Sequence, residues 1–123
     1  MEFIEKLALY LTTNGINIPI CGNIMNPDTD DVVCIKDTGS YKPSIGSSTR
    51  YPTVQISVRC KNYVNAKSIA MQIFNLLHDK EFYSLDANTV ILASYATQEP
   101  AFLLEDSNCR TVLVANYNFT IRR

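Results

Sequence analysis

The chain lacks the residue groupings from which metal sites and membrane spans are built. Its four cysteines form no C-x-x-C pair, and its one histidine, His78, has no cysteine near it. Zinc sites need such clusters of thiolate and imidazole ligands, so no zinc site is expected. No apolar run approaches the roughly 20 residues that cross a bilayer. We therefore expect no metal, no cofactor and no membrane contact.

A surplus of either charge is also missing. The 123 residues carry 11 basic and 12 acidic side chains, for a net charge of -1, which argues against a protein built chiefly to bind nucleic acid. The distribution is uneven, because residues 42–67 hold five basic side chains and no acidic one, whereas residues 1–41 hold six acidic and two basic. The basic block could bind phosphate, or it could meet the acidic block of a neighbouring copy.

The composition that remains is that of an ordinary globular domain. Hydrophobic residues make up 46% of the chain and charged residues 19%. A chain of this length predicts a single domain over residues 1–123. No secretory signal pattern opens the sequence, and Cys34 and Cys60 fall in apolar stretches, as free thiols do. We expect a protein that folds unaided in a reducing cytosol.

Hydrophobic periodicity predicts two helices and several strands. Apolar residues at helical spacing indicate a helix over residues 2–13, and a second stripe behind the capping residue Asn62 indicates one over 63–79. Strands are predicted over 32–36, 53–60, 89–97 and 110–121, and a further short one is possible over 102–104. This order favours an α+β fold, an antiparallel sheet with two helices packed on one face.

A long loop is predicted after the first strand. Residues 38–52 contain two glycines, two prolines and four serines, with no apolar periodicity. Connections of this length inside a compact domain are usually functional or mobile. We expect a mobile loop there, and the alternative is a tolerated insertion.

Asp37-Thr38-Gly39 follows an apolar strand, as in a dimeric aspartic protease. That chemistry needs two such aspartates sharing a proton across a two-fold axis. It also needs glycine-rich flap and packing loops, and no glycine follows Gly46. A strand ending in a turn is the favoured interpretation, and we expect no enzyme.

His78, near the end of the second helix, is expected to act as a helix-dipole partner.

Five basic residues interleaved with tyrosines give a second alternative. Such a composition suits a nucleic-acid surface on which aromatic rings stack against bases. Contact between subunits would explain the same residues equally well. The residues are Lys42, Arg50, Arg59, Lys61 and Lys67, with Tyr41, Tyr51 and Tyr63.

Several stretches together resemble the minor capsid or tail-completion family of long-tailed bacteriophages. They are a strand VVCIKDTG, a strand-to-helix join PTVQISVRCKNYVNAKSIAMQIFNLL, a Gln98-x-Pro100, an Asp106-x-Asn108-x-Arg110 and a closing NYNFTIRR. The resemblance covers nearly the whole chain. Its most specific parts are the strand-to-helix join and the order of the Q-x-P and D-x-N-x-R motifs, none of which is catalytic.

The resemblance implies a structural virion protein rather than an enzyme. Tail terminators of this kind have an α+β fold and assemble as rings, usually of six copies, that cap the tail tube and join it to the head. The expected partners are therefore other copies of the chain, the tail tube protein and the head-tail connector proteins, with DNA only in passage through the ring. The expected location is the tail or neck of the virion, after assembly in the cytoplasm of the host bacterium.

A head-to-tail ring buries two different patches of one chain against each other, so complementary charges can lie within a single sequence. The two charged blocks are the candidates for a contact between subunits or with the tail tube. The predicted contact residues are Asp28, Asp30, Asp31, Lys42, Arg50, Tyr51, Arg59 and Lys61.

Overall fold

The computed structural model describes residues 3–24, 27–41 and 49–122. In these ranges the chain forms two helices and seven strands. The elements in chain order are α1 (Phe3–Thr13), β1 (Ile20–Gly22), β2 (Val32–Tyr41), β3 (Thr49–Cys60), α2 (Tyr63–Leu77), β4 (Lys80–Asp86), β5 (Thr89–Ala96), β6 (Ala101–Glu105) and β7 (Thr111–Arg122).

All seven strands belong to one mostly antiparallel sheet, in which six follow the order β1-β2-β3-β7-β5-β4 and β6 pairs with β7 beside this path. The short strand β1 is parallel to β2, and the other pairs are antiparallel. The long strand β7 pairs with β3 along one side, and along its other side it pairs first with β6 and then with β5. The predicted α+β class with an antiparallel sheet is confirmed.

The core lies between the two helices and one face of the sheet. Alternate residues of β3 from Val54 to Cys60 are buried, and so are Leu7, Leu11, Ile73 and Leu77 of the helices. Ile69 is half-buried against the same cluster. Alternate residues of β7, from Leu113 to Ile121, complete it. The periodicities of 3.6 and 2 therefore identify the buried faces of α2, β3 and β7.

Local caps fix the ends of α2. The side-chain oxygen of Asn62 accepts a hydrogen bond from the Val64 backbone N–H at 2.7 Å, which satisfies one of the free donors of the first turn. The helix ends at Leu77, two residues earlier than predicted, because His78 is extended and Asp79 has a left-handed φ of 55°.

None of the described helices is long and apolar enough to cross a membrane.

The expectation of a loop over residues 38–52 is wrong at both ends. Strand β2 continues to Tyr41 and β3 begins at Thr49, with Tyr41 opposite Tyr51. The strand passes Gly39, which has a φ of +99°, through a register shift between Asp37 and Ser40. Because glycine tolerates a positive φ, the strand continues past Gly39 through a bulge. The alternation of polar and apolar residues does not predict this continuation. The rest of the predicted loop, residues 42–48, lies outside the described residues.

Strands β1 and β4 are not among the predicted elements. β1 has three residues, too few for an alternating pattern. β4 has an irregular pattern of exposure, and its residue Phe82 has a φ of 53°, which interrupts the regular pleat. The possible strand over residues 102–104 is real and forms β6.

Candidate functional site

Asp37 has a local role in the bulge of β2. Its Oδ1 accepts a hydrogen bond from the Gly39 backbone N–H at 2.7 Å, and its own N–H donates to Asn23 Oδ1 at 2.9 Å. The aspartate thereby holds the turn that Gly39 makes, as aspartates do in Asx-turns.

Within the described residues, no group of three or more His, Cys, Asp or Glu side chains is placed to hold a metal ion.

His78 lies at the C-terminal cap of α2 and connects the end of this helix to β5. The helix-dipole role expected of it stays a prediction. Its Nδ1 accepts a hydrogen bond from the Ala96 backbone N–H at 3.0 Å. Its ring stacks on Phe74 with a centroid separation of 4.6 Å. The contacts of His78 are those of a structural residue.

Two of the predicted acidic residues before β2, Asp30 and Asp31, contact basic residues of the same chain. The carboxylate of Asp30 lies 3.4 Å from Lys61 Nζ, and Asp31 Oδ1 accepts a hydrogen bond from the Lys61 backbone N–H at 3.4 Å. The buried Arg59 donates from Nη2 to the Thr29 carbonyl. The acidic loop before β2 is therefore attached to the end of β3 by in-chain contacts.

Arg110 completes this attachment, and it is absent from the predicted contact residues. Its side chain is 6% exposed. Nη1 donates to the carbonyls of Pro27 and Thr29 at 3.0 and 3.3 Å and lies 3.6 Å from the Asp30 carboxylate. Nε donates to Asp106 Oδ2 at 2.8 Å. The signal that could have identified Arg110 is the D-x-N-x-R spacing, which sets an aspartate and an arginine four residues apart in one tight turn.

The ionisation of nearby groups reflects these contacts. Burial raises the pKa of Asp106, but hydrogen bonds from the backbone and side chain of Arg110 and from the Asn108 N–H outweigh it, so the net pKa lies below the usual value. Burial raises the pKa of the Cys60 thiol to about 11, and the neighbouring Asp31 adds to this shift. Cys60 is therefore an unreactive core thiol.

Arg50 and Tyr51 lie at the other end of β3. Arg50 is exposed at the start of the strand, opposite Ile121, whereas Arg59 lies near its far end, opposite Val112. The described arginines of the predicted basic block are thus divided between the two ends of β3. Asp28 lies in the loop with the other two aspartates, and Lys42 lies outside the described residues.

The described basic residues of the central block do not gather into one patch. Lys67 on α2 donates from Nζ to the Pro100 carbonyl at 3.1 Å, and Lys61 pairs with Asp30. Arg59 is buried. A surface for nucleic acid needs several exposed cations on one face. Of the described basic residues of this block, Arg50 alone lies at the start of β3, where it is exposed.

An exposed apolar surface lies instead on β6, which pairs with β7 beside the end of β5. All five residues of this strand are exposed, and three of them are large and apolar, namely Phe102, Leu103 and Leu104. The sequence predicts a possible strand over residues 102–104. No periodicity in the sequence predicts that all the side chains of β6 are exposed.

Comparison with known proteins identifies one family. A family model described as bacteriophage tail terminator protein matches residues 10–123. No curated protein matches the chain.

Proposed function

The chain belongs to the bacteriophage tail terminator family, and from this membership we propose that its copies close into a ring, of six subunits, that caps the tail tube. As a phage tail protein, the chain is a structural component of the virion and acts together with other tail components. The ring would end tube growth and join the tail to the head as a neck or minor capsid component. Assembly would take place in the cytoplasm of the host.

The family match over residues 10–123 is the observation that carries this proposal. Self-association is supported by the uncovered apolar side chains of β6, because large exposed apolar patches usually mark interaction sites. The tail tube protein and the head-tail connector proteins are the proposed partners. DNA would only pass through the ring, since the described cations of the central block are dispersed.

The predicted contact residues divide into two groups under this proposal. Asp30, Asp31, Arg59 and Lys61 serve the fold of the subunit, because they contact one another or Thr29 within the chain. Arg50 and Tyr51, with Lys42 beyond the described residues, would contact the tail tube from the opposite end of the sheet. An exposed arginine beside a tyrosine is a frequent anchor of protein interfaces.

The test of this division is a capping assay. Tail tubes polymerised from the tube protein of the same particle should stop growing when this protein is added, as tube lengths in negative-stain electron microscopy would report. The Arg50→Glu variant should cap far fewer tubes at an unchanged melting temperature. The reason is that Arg50 is exposed and its reversal repels carboxylates on the tube.

The matched control is Asp30→Lys, the same kind of reversal at the other end of the sheet. It sets a cation beside Lys61 and Arg110, so it should cost about 1 kcal/mol and roughly 4 °C in melting temperature. It should still cap tubes below that temperature. Normal capping by Arg50→Glu would remove this residue from the tube contact, and failure of the wild-type protein to cap would contradict the proposed function itself.

A further inference from the structure

Two of the four cysteines face each other at one edge of the sheet. Cys21 is the middle residue of β1 and lies opposite Cys34 in the parallel ladder between β1 and β2. Opposed residues of neighbouring strands point to the same face of a sheet. The adjacent residues Ile20, Val33 and Ile35 belong to the core beneath the helices, so the two thiols lie on the opposite face of the sheet.

The spacing of the two strands fits a disulfide. Hydrogen-bonded strands lie about 4.8 Å apart, and the Cα atoms of disulfide-bonded cysteines are usually about 4.4 to 6.8 Å apart. The two thiols already lie within hydrogen-bonding distance of each other. Backbone hydrogen bonds of 2.9 Å flank β1 and fix this register. Val33 N–H donates to the Pro19 carbonyl before the strand, and Asn23 N–H donates to the Ile35 carbonyl after it.

The two thiols differ in their access to solvent. Cys21 is half-buried on the edge strand, whereas Cys34 is 5% exposed on β2, which has β1 and β3 on its two sides. Burial is the largest cause that raises the pKa of the Cys34 thiol to about 12, and the Cys21 thiol adds to this shift. Cys34 therefore stays protonated, and an oxidant in solution reacts first with Cys21.

We propose that Cys21 and Cys34 are an oxidisable pair, which a small disulfide such as oxidised glutathione converts into a disulfide bond between β1 and β2. The Cys21 thiol loses its proton to water, and the thiolate attacks one sulfur of oxidised glutathione. A mixed disulfide forms and one glutathione thiolate leaves. The Cys34 thiol then loses its proton, attacks the Cys21 sulfur and expels the second glutathione thiolate. The two cysteines lose two electrons, and one oxidised glutathione becomes two reduced molecules.

The disulfide bond would attach the short edge strand covalently to the rest of the sheet. β1 has three residues, and an edge strand with so short a ladder opens easily. Residues 21–34 would become a closed loop, which limits the freedom of the unfolded chain. A reducing cytoplasm keeps both thiols free, so the bond would form only after a virion leaves the cell. This timing rests on the proposed function, whereas the pairing of the thiols does not.

Oxidation of the purified full-length protein tests the pair. The protein is equilibrated with a mixture of oxidised and reduced glutathione, and the remaining thiols are blocked with iodoacetamide. A protease that cuts before aspartate then places the four cysteines in separate peptides, which mass spectrometry identifies. These peptides are residues 1–27, 31–36, 37–78 and 106–123. Because no tube protein takes part, failure of this test would leave the proposed ring untouched.

The expected product is residues 1–27 joined to residues 31–36, at least about tenfold more abundant than any joined product of Cys60. Cys60 is the matched control, a buried free thiol that lies opposite Thr111. The Cys34→Ser variant should instead retain one glutathione on Cys21. Wild-type protein that retains glutathione on Cys21 without joining it to Cys34 would overturn the inference. A Cys21 thiol that stays free throughout would overturn it as well.

A melting experiment tests whether the disulfide bond stabilises the attachment of β1. Both proteins compared carry Cys109→Ser, because the exposed Cys109 would otherwise react with glutathione. The oxidised form of the first should melt about 5 °C or more above its reduced form. The second also carries Cys21→Ser and should melt at the same temperature after either treatment. A joined protein that melts no higher than its reduced form would overturn the stabilising role of the bond.

Discussion

Replacing Ile73 by alanine should lower the free energy of unfolding by about 2 to 5 kcal/mol. Ile73 is 1% exposed on the inner face of α2, in the same buried cluster as Ile56, Val58 and Leu113 of the sheet. Removing three carbons from a close-packed core loses their transfer free energy and leaves a cavity that the surrounding strands fill only in part. Urea denaturation followed by circular dichroism measures the change.

The control for this substitution is Val64→Ala on the same helix. Val64 is 69% exposed, so its truncation should change the free energy of unfolding by less than about 0.5 kcal/mol. Equal stabilities of the Ile73→Ala and wild-type proteins would show that the inner face of α2 does not bury this side chain. The packing of α2 on the sheet would then need revision.

Replacing Arg110 by methionine should cost about 2 to 4 kcal/mol, even though methionine keeps much of the apolar volume. The carbonyls of Pro27 and Thr29 would lose a charged donor in a place where little water can replace it. The pairing with the half-exposed Asp30 contributes little to this sum. Lys61→Met removes the other cation near Asp30. Because Lys61 is 71% exposed, that control should cost no more than about 1 kcal/mol.

The pH dependence of stability separates the Arg110 contacts from simple packing. The folded pKa of Asp106 lies below its unfolded value, so its contribution is present above the ordinary carboxyl pKa and is lost as the pH falls through the lowered value. In Arg110→Met the loss of stability on acidification should therefore be smaller than in the wild type. An identical pH profile in both proteins would remove the Arg110 and Asp106 pair from the account.

The fold follows from the sequence where burial produces a simple period. Helix α2 has a continuous apolar stripe behind the cap Asn62, and β3 and β7 alternate over most of their lengths. Local pattern fails where one residue adopts a positive φ. Gly39 lets β2 continue through a bulge, and Phe82 breaks the alternation of β4. The alternation of polar and apolar residues does not indicate which residue adopts a positive φ. Such a residue alters the course of the backbone, and the alternation reports only which face of a regular strand is buried.

The contacts of the charged residues could not be predicted, because they depend on which distant segments meet. Arg110 donates to the carbonyl of Pro27, 83 residues earlier in the chain. Asp30 and Lys61 meet because β2 and β3 pair in antiparallel register, with Val32 opposite Arg59. Charge counts along the sequence show complementary blocks. They do not distinguish a contact within one chain from a contact between copies.

The central claim is that copies of this chain form a closed ring at the end of the tail tube. Cryo-electron microscopy of tubes capped by the wild-type protein, with end-on class averages of the capped ends, tests it most directly. The proposal predicts a closed ring with six-fold rotational symmetry. Capped ends that carry a two-fold dimer or isolated copies, or tube ends without density for this chain, would contradict it.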